Sequence, residues 1–352
     1  MAIKSYKGFD KNLRCRDFQY KIGGIYEMDG EIKVCNRGFH ACESPFDVFD
    51  YYTMIDSRFC EVEQDGNISK EDRGTKICSS KIKIKAELKL ADMINLGIEW
   101  LKEITLPEKI KTSIKDNSSG NYAKIGSSGD DAKIGSSGDG AQIGSSGDDA
   151  QIGSSGNNAQ IGSSGNNAQI GSSGNNAKIG SSGYDAKIGS SGNNAKIGSS
   201  GDGAKIGSSG YDAQIGSSGN NAQIGSSGNN AKIGSSGNNA KIGSSGNNAK
   251  IGSSGDGAKI GSFGDGAKIG SSGNNAKIDS TGKDCVIMCA GINPVAKASK
   301  GSWITLSEWS YSEGKQRYIP ICVKTEFVDG EKIKADTYYS LKGGVFVEWI
   351  ND

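Results

Sequence analysis

Cys35, His40 and Cys42 stand in a C-x4-H-x-C spacing, and His40 is the single histidine of the chain. Thiolate and imidazole are ligands that zinc prefers, and Cys15 or Cys60 would complete a four-ligand shell at about 2.0–2.3 Å. The pattern lacks a C-x2-C knuckle, and a cysteine on a strand serves equally well as a small buried apolar group. These three residues are therefore weak metal candidates, and no metal or cofactor is expected. A second constellation is a row of lysines. Lys124, Lys133, Lys178, Lys187, Lys196, Lys205, Lys232, Lys241 and Lys250 recur at whole multiples of one repeat unit. Such a track suits an acidic protein face or a polyanion. Twelve lysines of this kind are set against ten aspartates in the adjoining turns, so the segment is nearly neutral. No aromatic residues alternate with them to stack on bases, which puts a protein partner ahead of nucleic acid.

The elements that must position these lysines come from a nonapeptide repeat. Two turn residues, mostly Asn, Asp, Gly or Tyr, precede Ala, then Lys or Gln, then Ile-Gly-Ser-Ser-Gly. The Ala recurs from Ala123 to Ala276 and the Ile from Ile125 to Ile278, eighteen times each. Ala and Ile lie at i and i+2, so in an extended strand both point one way while the residue between faces water. The Gly-Ser-Ser-Gly-Asn-Asn remainder is rich in turn formers. A short strand and a longer turn make one side of a coil. Two units give a flattened two-sheet coil and three give a triangular one. Tyr184 and Tyr211, three units apart in matching surroundings, lean toward the longer block. The thin Ala/Ile core favours two apposed sheets, hence two units or about 18 residues per coil. Nine coils at about 4.8 Å each predict a rod of roughly 43 Å, stabilised in part by a parallel ladder with stacked Asn and Ser columns. A disordered linker of similar composition has no reason to hold Ile at one phase. The repeat also resembles the calcium-binding nonapeptide roll, but it lacks that motif's regular Asp. The outward Lys likewise does not suit an ice-binding face.

Composition divides the chain into an α+β N-terminal domain over residues 1–115, the repeat over 116–282 and a β-rich segment over 283–352. The expected fold is all-β dominated: a parallel β-solenoid with a small α+β cap at its N-terminal end and a β-rich cap at the other. In the first segment IKSYKGF, FQYKIGGIYEM, EIKVCNRGFHAC, FCEVEQ and TKICSSKIKIKAEL read as strands. A short helix capped by Ser44 with Pro45 at its first position follows the third of them. Residues 91–103 carry the helical stripe Met93, Ile94, Ile98 and Leu101. In the tail, Asp329-Gly330 and Gly343-Gly344 signal hairpins. The net charge of +1 gives no global field toward nucleic acid or an acidic membrane. The absence of a long apolar run argues against a membrane span. The charged start MAIKSYKGFD carries no secretory signal and the cysteines are scattered, so reduced thiols and a cytoplasmic location are expected.

At the two ends the residues YKGFDKNLRCRDFQY, GFHACESPFDVFDYY, SSKIKIKAEL and the tail from GSWITLSEW to KGGVFVEW resemble a family of uncharacterised phage and prophage proteins. Its members share both ends and carry variable numbers of short Ala/Ser/Gly-rich repeats between them. That resemblance implies a viral origin and an infected or lysogenic bacterial host. A second likeness is to ADP-ribosyltransferase patterns: Tyr6-Lys7-Gly8, then Gly38-Phe39-His40, then a helix ending at Tyr51-Tyr52. Those enzymes use Arg or His, then Ser, Thr or Tyr, then Glu. Here Lys7 stands in the Arg place, with Glu61 or Glu63 as the third element. Since the Arg is missing, a non-enzymatic interaction protein is the expected role, with inhibition of a host defence or nucleic-acid-processing factor as its specific form. A transferase and a structural virion spacer are the alternatives.

Overall fold

The computed structural model describes residues 2–16, 18–53, 57–71, 75–104 and 120–350. The chain forms two compact units, Met1–Trp100 and Leu101–Asp352.

The first unit is an antiparallel sheet with a helix. Its strands are β1 (Ile3–Phe9), β2 (Arg14–Cys15), β3 (Phe18–Gln19), β4 (Ile25–Glu27), β5 (Phe39–Cys42), β6 (Arg58–Lys70) and β7 (Lys76–Leu88). The main sheet has the order β4-β7-β5-β1-β6, and β6 also pairs with β7, so the sheet closes on itself. Phe9, Phe39, Cys60, Val62, Ile82 and Ile84 fill its interior. The expected strand over FQYKIGGIYEM is broken into β3 and β4 around Gly23-Gly24, and only the end of EIKVCNRGFHAC is strand. Cys35 has a φ of 64°, a left-handed turn conformation that interrupts pairing. The short helix is a 3-10 helix, Phe46–Asp50, with Pro45 at its cap. Ser44 is buried and its hydroxyl makes no hydrogen bond, so the expected Ser44 cap is not formed. The helix α1 (Leu90–Ile104) buries Met93 and Ile94 fully. The side chains of Ile98 and Leu101 lie outside the described residues.

The second unit is a parallel β-solenoid whose coil repeats every 18 residues, the separation of each turn residue from the one it bonds in the next coil. Each nonapeptide supplies one four-residue strand, Lys/Gln-Ile-Gly-Ser, and alternate strands join opposite sheets. Every strand pairs in register with the strand two units along, as in Lys196↔Gln214 and Ile197↔Ile215. Two degenerate units follow the eighteenth: Val286–Cys289 and Val295–Ala298 continue the two sheets with Ile287 and Ala296 in the Ile column. There are thus ten coils rather than nine. The change of composition at residue 283 is no break in the solenoid. Two hairpin arms then close the sheets. Trp303–Ser312 adds in parallel and Arg317–Phe327 returns antiparallel on one sheet. Tyr339–Lys342 and Val345–Glu348, joined at Gly343-Gly344, pair antiparallel on the other. Asp329-Gly330 begins a crossover between the sheets instead of a hairpin. The Asp329 carboxylate accepts the backbone N–H groups of Glu331 and Ile333 at 2.9 and 3.1 Å, and these bonds hold it below the usual carboxylate range.

Each turn position has its own physical reason. The second turn residue sits at φ between 54° and 60° from Asp131 through Asn275, or at 66° to 73° where it is Gly140, Gly203, Gly257 or Gly266. Asn, Asp and Gly are the residues that tolerate this left-handed region. Where the first turn residue is Asn or Asp, its Oδ1 accepts the backbone N–H of its equivalent one coil later. Asn238 accepts from Asp256 at 2.9 Å and Asp202 from Asn220 at 2.7 Å. This is the Asn column in working form, and it also employs the carboxylates that a calcium roll would need for metal.

The inner face differs from expectation. Alternation continues past Ile through Gly, so the first Ser of each unit points inward with Ala and Ile. Inward serines from Ser136 to Ser280 are buried, and their hydroxyls lack a hydrogen-bond partner. At about 4.8 Å apart, stacked hydroxyls cannot reach each other. The degenerate units replace this Ser with Cys289 and Ala298. Two substitutions should therefore move stability in opposite directions. Asn238→Ala removes a coil-to-coil bond and should lower it by about 1 kcal/mol, whereas Ser208→Ala removes an unsatisfied buried hydroxyl and should raise it by about 1 kcal/mol. Urea midpoints of the two variants and the parent measure this; a Ser208→Ala midpoint below the parent's would mean that the hydroxyl column is bonded after all.

Candidate functional site

The first unit contains a cavity of about 950 Å³. Tyr6, Lys7 and Gly8 of β1 reach it, as do Cys15, Arg16, Phe18 and Tyr20 from the β2–β3 arm. Tyr26, His40, Tyr51, Tyr52 and Lys76 complete much of its wall. Gly8 is required here: a Cβ would overlap the Tyr52 ring that lies on β1. Lys7 is buried, 5% exposed, and its Nζ donates to the His40 carbonyl at 2.8 Å and approaches Cys15 Sγ at 3.5 Å. The ring centroids of Phe9 and Tyr20 stand 5.5 and 5.9 Å from it. Burial pushes the Lys7 ammonium below its ordinary value. Tyr52 donates to Cys15 Sγ at 3.0 Å, and burial together with that bond raises its phenol. His40 is held below its usual value, first by burial and then by the nearby positive charges of Lys7, Lys76 and Arg16.

The metal candidates Cys35, His40 and Cys42 all border this cavity, but they do not converge as a ligand set. The backbone N–H of Cys35 donates to His40 Nε2 at 3.0 Å, which takes one of the two ring nitrogens that could ligate a metal. Lys76 Nζ donates to Cys35 Sγ at 3.1 Å. Cys42 is buried, and desolvation pushes its thiol up to about 12, away from the thiolate that zinc binds. Among the described residues no three His, Cys, Asp or Glu side chains converge as a metal site. The transferase pattern is assembled in part. Lys7, His40, Tyr51 and Tyr52 share the cavity, but Glu61 pairs with Lys4 at 3.0 Å and Glu63 with Lys85 at 2.7 Å, and neither lines it.

The lysine row is two rows. Lys124, Lys178, Lys196, Lys232 and Lys250, with Lys268, lie on one sheet; Lys133, Lys187, Lys205 and Lys241, with Lys259 and Lys277, lie on the other. Their regular spacing in the sequence suggests a single track, because spacing alone does not show that alternate units belong to opposite faces. The order of Lys and Gln along the two sheets is the same, yet their exposure differs. On the first sheet every Lys and Gln is exposed, and so are the outward glycines from Gly126 to Gly252. On the second the lysines are half-buried or buried, and the glycines from Gly153 to Gly261 are buried.

The first sheet is therefore an open face. It carries a ridge of Lys and Gln beside a trough floored by glycine backbone. Among the described residues none of its six ammonium groups forms an ion pair, and neighbours on adjacent strands repel by about 0.8 kcal/mol in water. A Cβ added at Gly144, Gly162, Gly180, Gly198, Gly216 or Gly234 would meet nothing within 4 Å. Among the described residues nothing demands glycine at these places. Toward the C-terminal end the ridge turns apolar: Lys268 is followed across the sheet by Val286, Trp303 and Phe327. Trp303 and Phe327 rings lie 5.0 Å apart, and Val286, Met288, Trp303 and Phe327 are all at least 40% exposed. This apolar end was missed in the sequence because its residues come from three separate strands.

The geometry thus defines a ten-coil β-solenoid protein with one open cationic face and a separate cavity-bearing N-terminal unit. Residues 3–96, which include that cavity, match the model of a family described as a domain of unknown function, DUF7666. No curated protein and no solved structure matches the chain. Among the described residues no helix is long and apolar enough to cross a membrane.

Proposed function

We propose that this is a non-enzymatic interaction protein whose open solenoid face is a rigid docking bar for an acidic protein. The supporting observation is the outward glycine column. Glycine weakens a strand and offers no side chain to pack, so it is kept where another surface must approach the backbone closely. Here nothing among the described residues makes that demand. The lysines beside the trough, which have no ion pair among the described residues, suit an acidic partner, and the exposed Val286, Met288, Trp303 and Phe327 supply the aromatic and aliphatic anchor common at protein interfaces. That apolar end favours a protein over a nucleic acid. The resemblance of the two ends to phage proteins supports the finer reading. On it the chain is phage- or prophage-encoded and acts in the cytoplasm of a bacterial host. Its partner is a host protein or complex, with a defence or nucleic-acid-processing factor as the specific candidate.

The test is affinity capture from a bacterial lysate with the parent and two open-face variants. One carries Lys178→Glu, Lys196→Glu, Lys232→Glu and Lys250→Glu; the other carries Gly180→Val and Gly198→Val. Both should melt within a few degrees of the parent, because the changed positions face solvent. Both should lose the captured protein by more than tenfold. Retention by both variants overturns the reading, as does capture of nucleic acid in place of protein.

A further inference from the structure

The cavity of the first unit raises a separate question. Lys7 is an ammonium group taken out of water with a carbonyl and a thiol as its polar neighbours, and among the described residues no carboxylate pairs with it. Burying a cation in this way is costly, and a strand position such as this can be filled by a neutral residue. Arg16 stands at the same cavity with no carboxylate partner among the described residues, and Lys76 is turned to Cys35 Sγ and to the Tyr51 ring, 4.4 Å from its centroid. The acid on the wall, Glu27, already faces Lys81 at 3.5 Å. His40 feels Lys7, Lys76 and Arg16 together. Among the described residues the lining is therefore positively charged, and its cations come from β1, the β2–β3 arm, and β7.

The rest of the wall is aromatic. Phe18, Tyr20 and Tyr26 form an edge-to-face cluster with centroids 4.8 to 5.3 Å apart, yet Phe18 remains 46% exposed and Tyr51 53% exposed. Large rings left open on a concave wall are surfaces for a planar group to pack against. The volume of about 950 Å³ is in the range of small-molecule sites. We propose that this cavity binds a small aromatic anion of the nucleotide class, with Lys7 and Arg16 holding its charged group and Phe18, Tyr26 and Tyr51 bordering its ring. This proposal stands independently of the solenoid's docking face.

The full-length protein should be titrated calorimetrically with AMP, adenosine and inorganic phosphate. AMP should saturate the protein at least about tenfold more tightly than either of the others, since each lacks one of the two recognised parts. Lys7→Met and Arg16→Ala should each weaken AMP about tenfold. Lys7→Met carries a second readout. A lysine whose folded value is depressed contributes stability above its unfolded value and loses it as pH falls through the folded one. At neutral pH its charge thus burdens the fold, and Lys7→Met should melt no lower than the parent. A residue kept for structure would melt lower when removed. Arg16 is exposed, so its variant will fold and decides the matter should Lys7→Met not. AMP binding no better than adenosine or phosphate, or indifferent to Arg16→Ala, overturns the proposal.

Discussion

Alanine at Gly201 should unfold the solenoid at far lower urea than alanine at Gly198, although the two glycines lie within one repeat unit. Gly198 points outward on the open face, where a Cβ meets nothing within 4 Å. Alanine there narrows the unfolded ensemble and should stabilise by about 0.4–1 kcal/mol. Gly201 closes the unit at the corner. A Cβ there would overlap the carbonyl oxygen of Gly183, the glycine of the coil below, and the same holds at Gly183 over Gly165 and Gly219 over Gly201. The obstacle is backbone fixed by the ladder on either side, so no side chain can swing away. Relief requires the coils to separate locally, and the bonds from Ser200 to Ser181 at 3.0 Å and from Lys205 to Ala186 at 2.8 Å resist that. The expected loss is about 3 kcal/mol or more, the upper range for overpacking. Equal urea midpoints for Gly201→Ala and Gly198→Ala would mean that the corner column does not set the coil spacing.

The second large effect concerns the C-terminal arms. A chain ended after Ala298 should associate progressively with concentration, while the full chain at the same concentration does not. Such a chain loses the strands Trp303–Ser312, Arg317–Phe327, Tyr339–Lys342 and Val345–Glu348. It leaves Val286–Cys289 and Val295–Ala298 as open edges, one on each sheet. These edges are straight, in register and free of proline, which are the conditions for pairing with another chain. The arms prevent this by turning back antiparallel, with a bulge between Glu308 and Trp309 that bends the outer strand pair. Light scattering after size exclusion would report the change. A truncated chain that scatters like the full one would show that the arms serve something other than edge protection.

Much of the solenoid was legible because its signal is repeated. The phase of Ile against Ala marked the inward face, and the thin core favoured two units per coil over three. The two tyrosines that pointed the other way, Tyr184 and Tyr211, occupy the first turn position, where the side chain faces out and coil length leaves no mark. The inward serine was not legible. Its neighbours are Gly and Ser, and a turn reading of those letters is locally as good as a strand reading; the ladder through Ser145 and Ser163 decided for strand. The cavity was less legible still. Lys7, Arg16, Phe18, Tyr26, His40 and Tyr51 are scattered from β1 to the end of the short helix and meet only because the sheet closes through β6 and β7. The Cys-His-Cys spacing was visible, but the left-handed turn at Cys35 gives the imidazole to a backbone N–H.

The alternation of units between two sheets has a consequence for how such a gene can grow or shrink. Deleting or inserting one nonapeptide would carry everything beyond it half a revolution round the axis. Ridge and trough beyond that point would jump to the opposite side, and Trp303 and Tyr339 would go with them, still paired with Val286 and Ala296. Two nonapeptides together change only the reach of the bar and leave every later residue facing as before. Viable length variants should therefore differ by even numbers of units, a parity rule imposed by geometry on the DNA that encodes them.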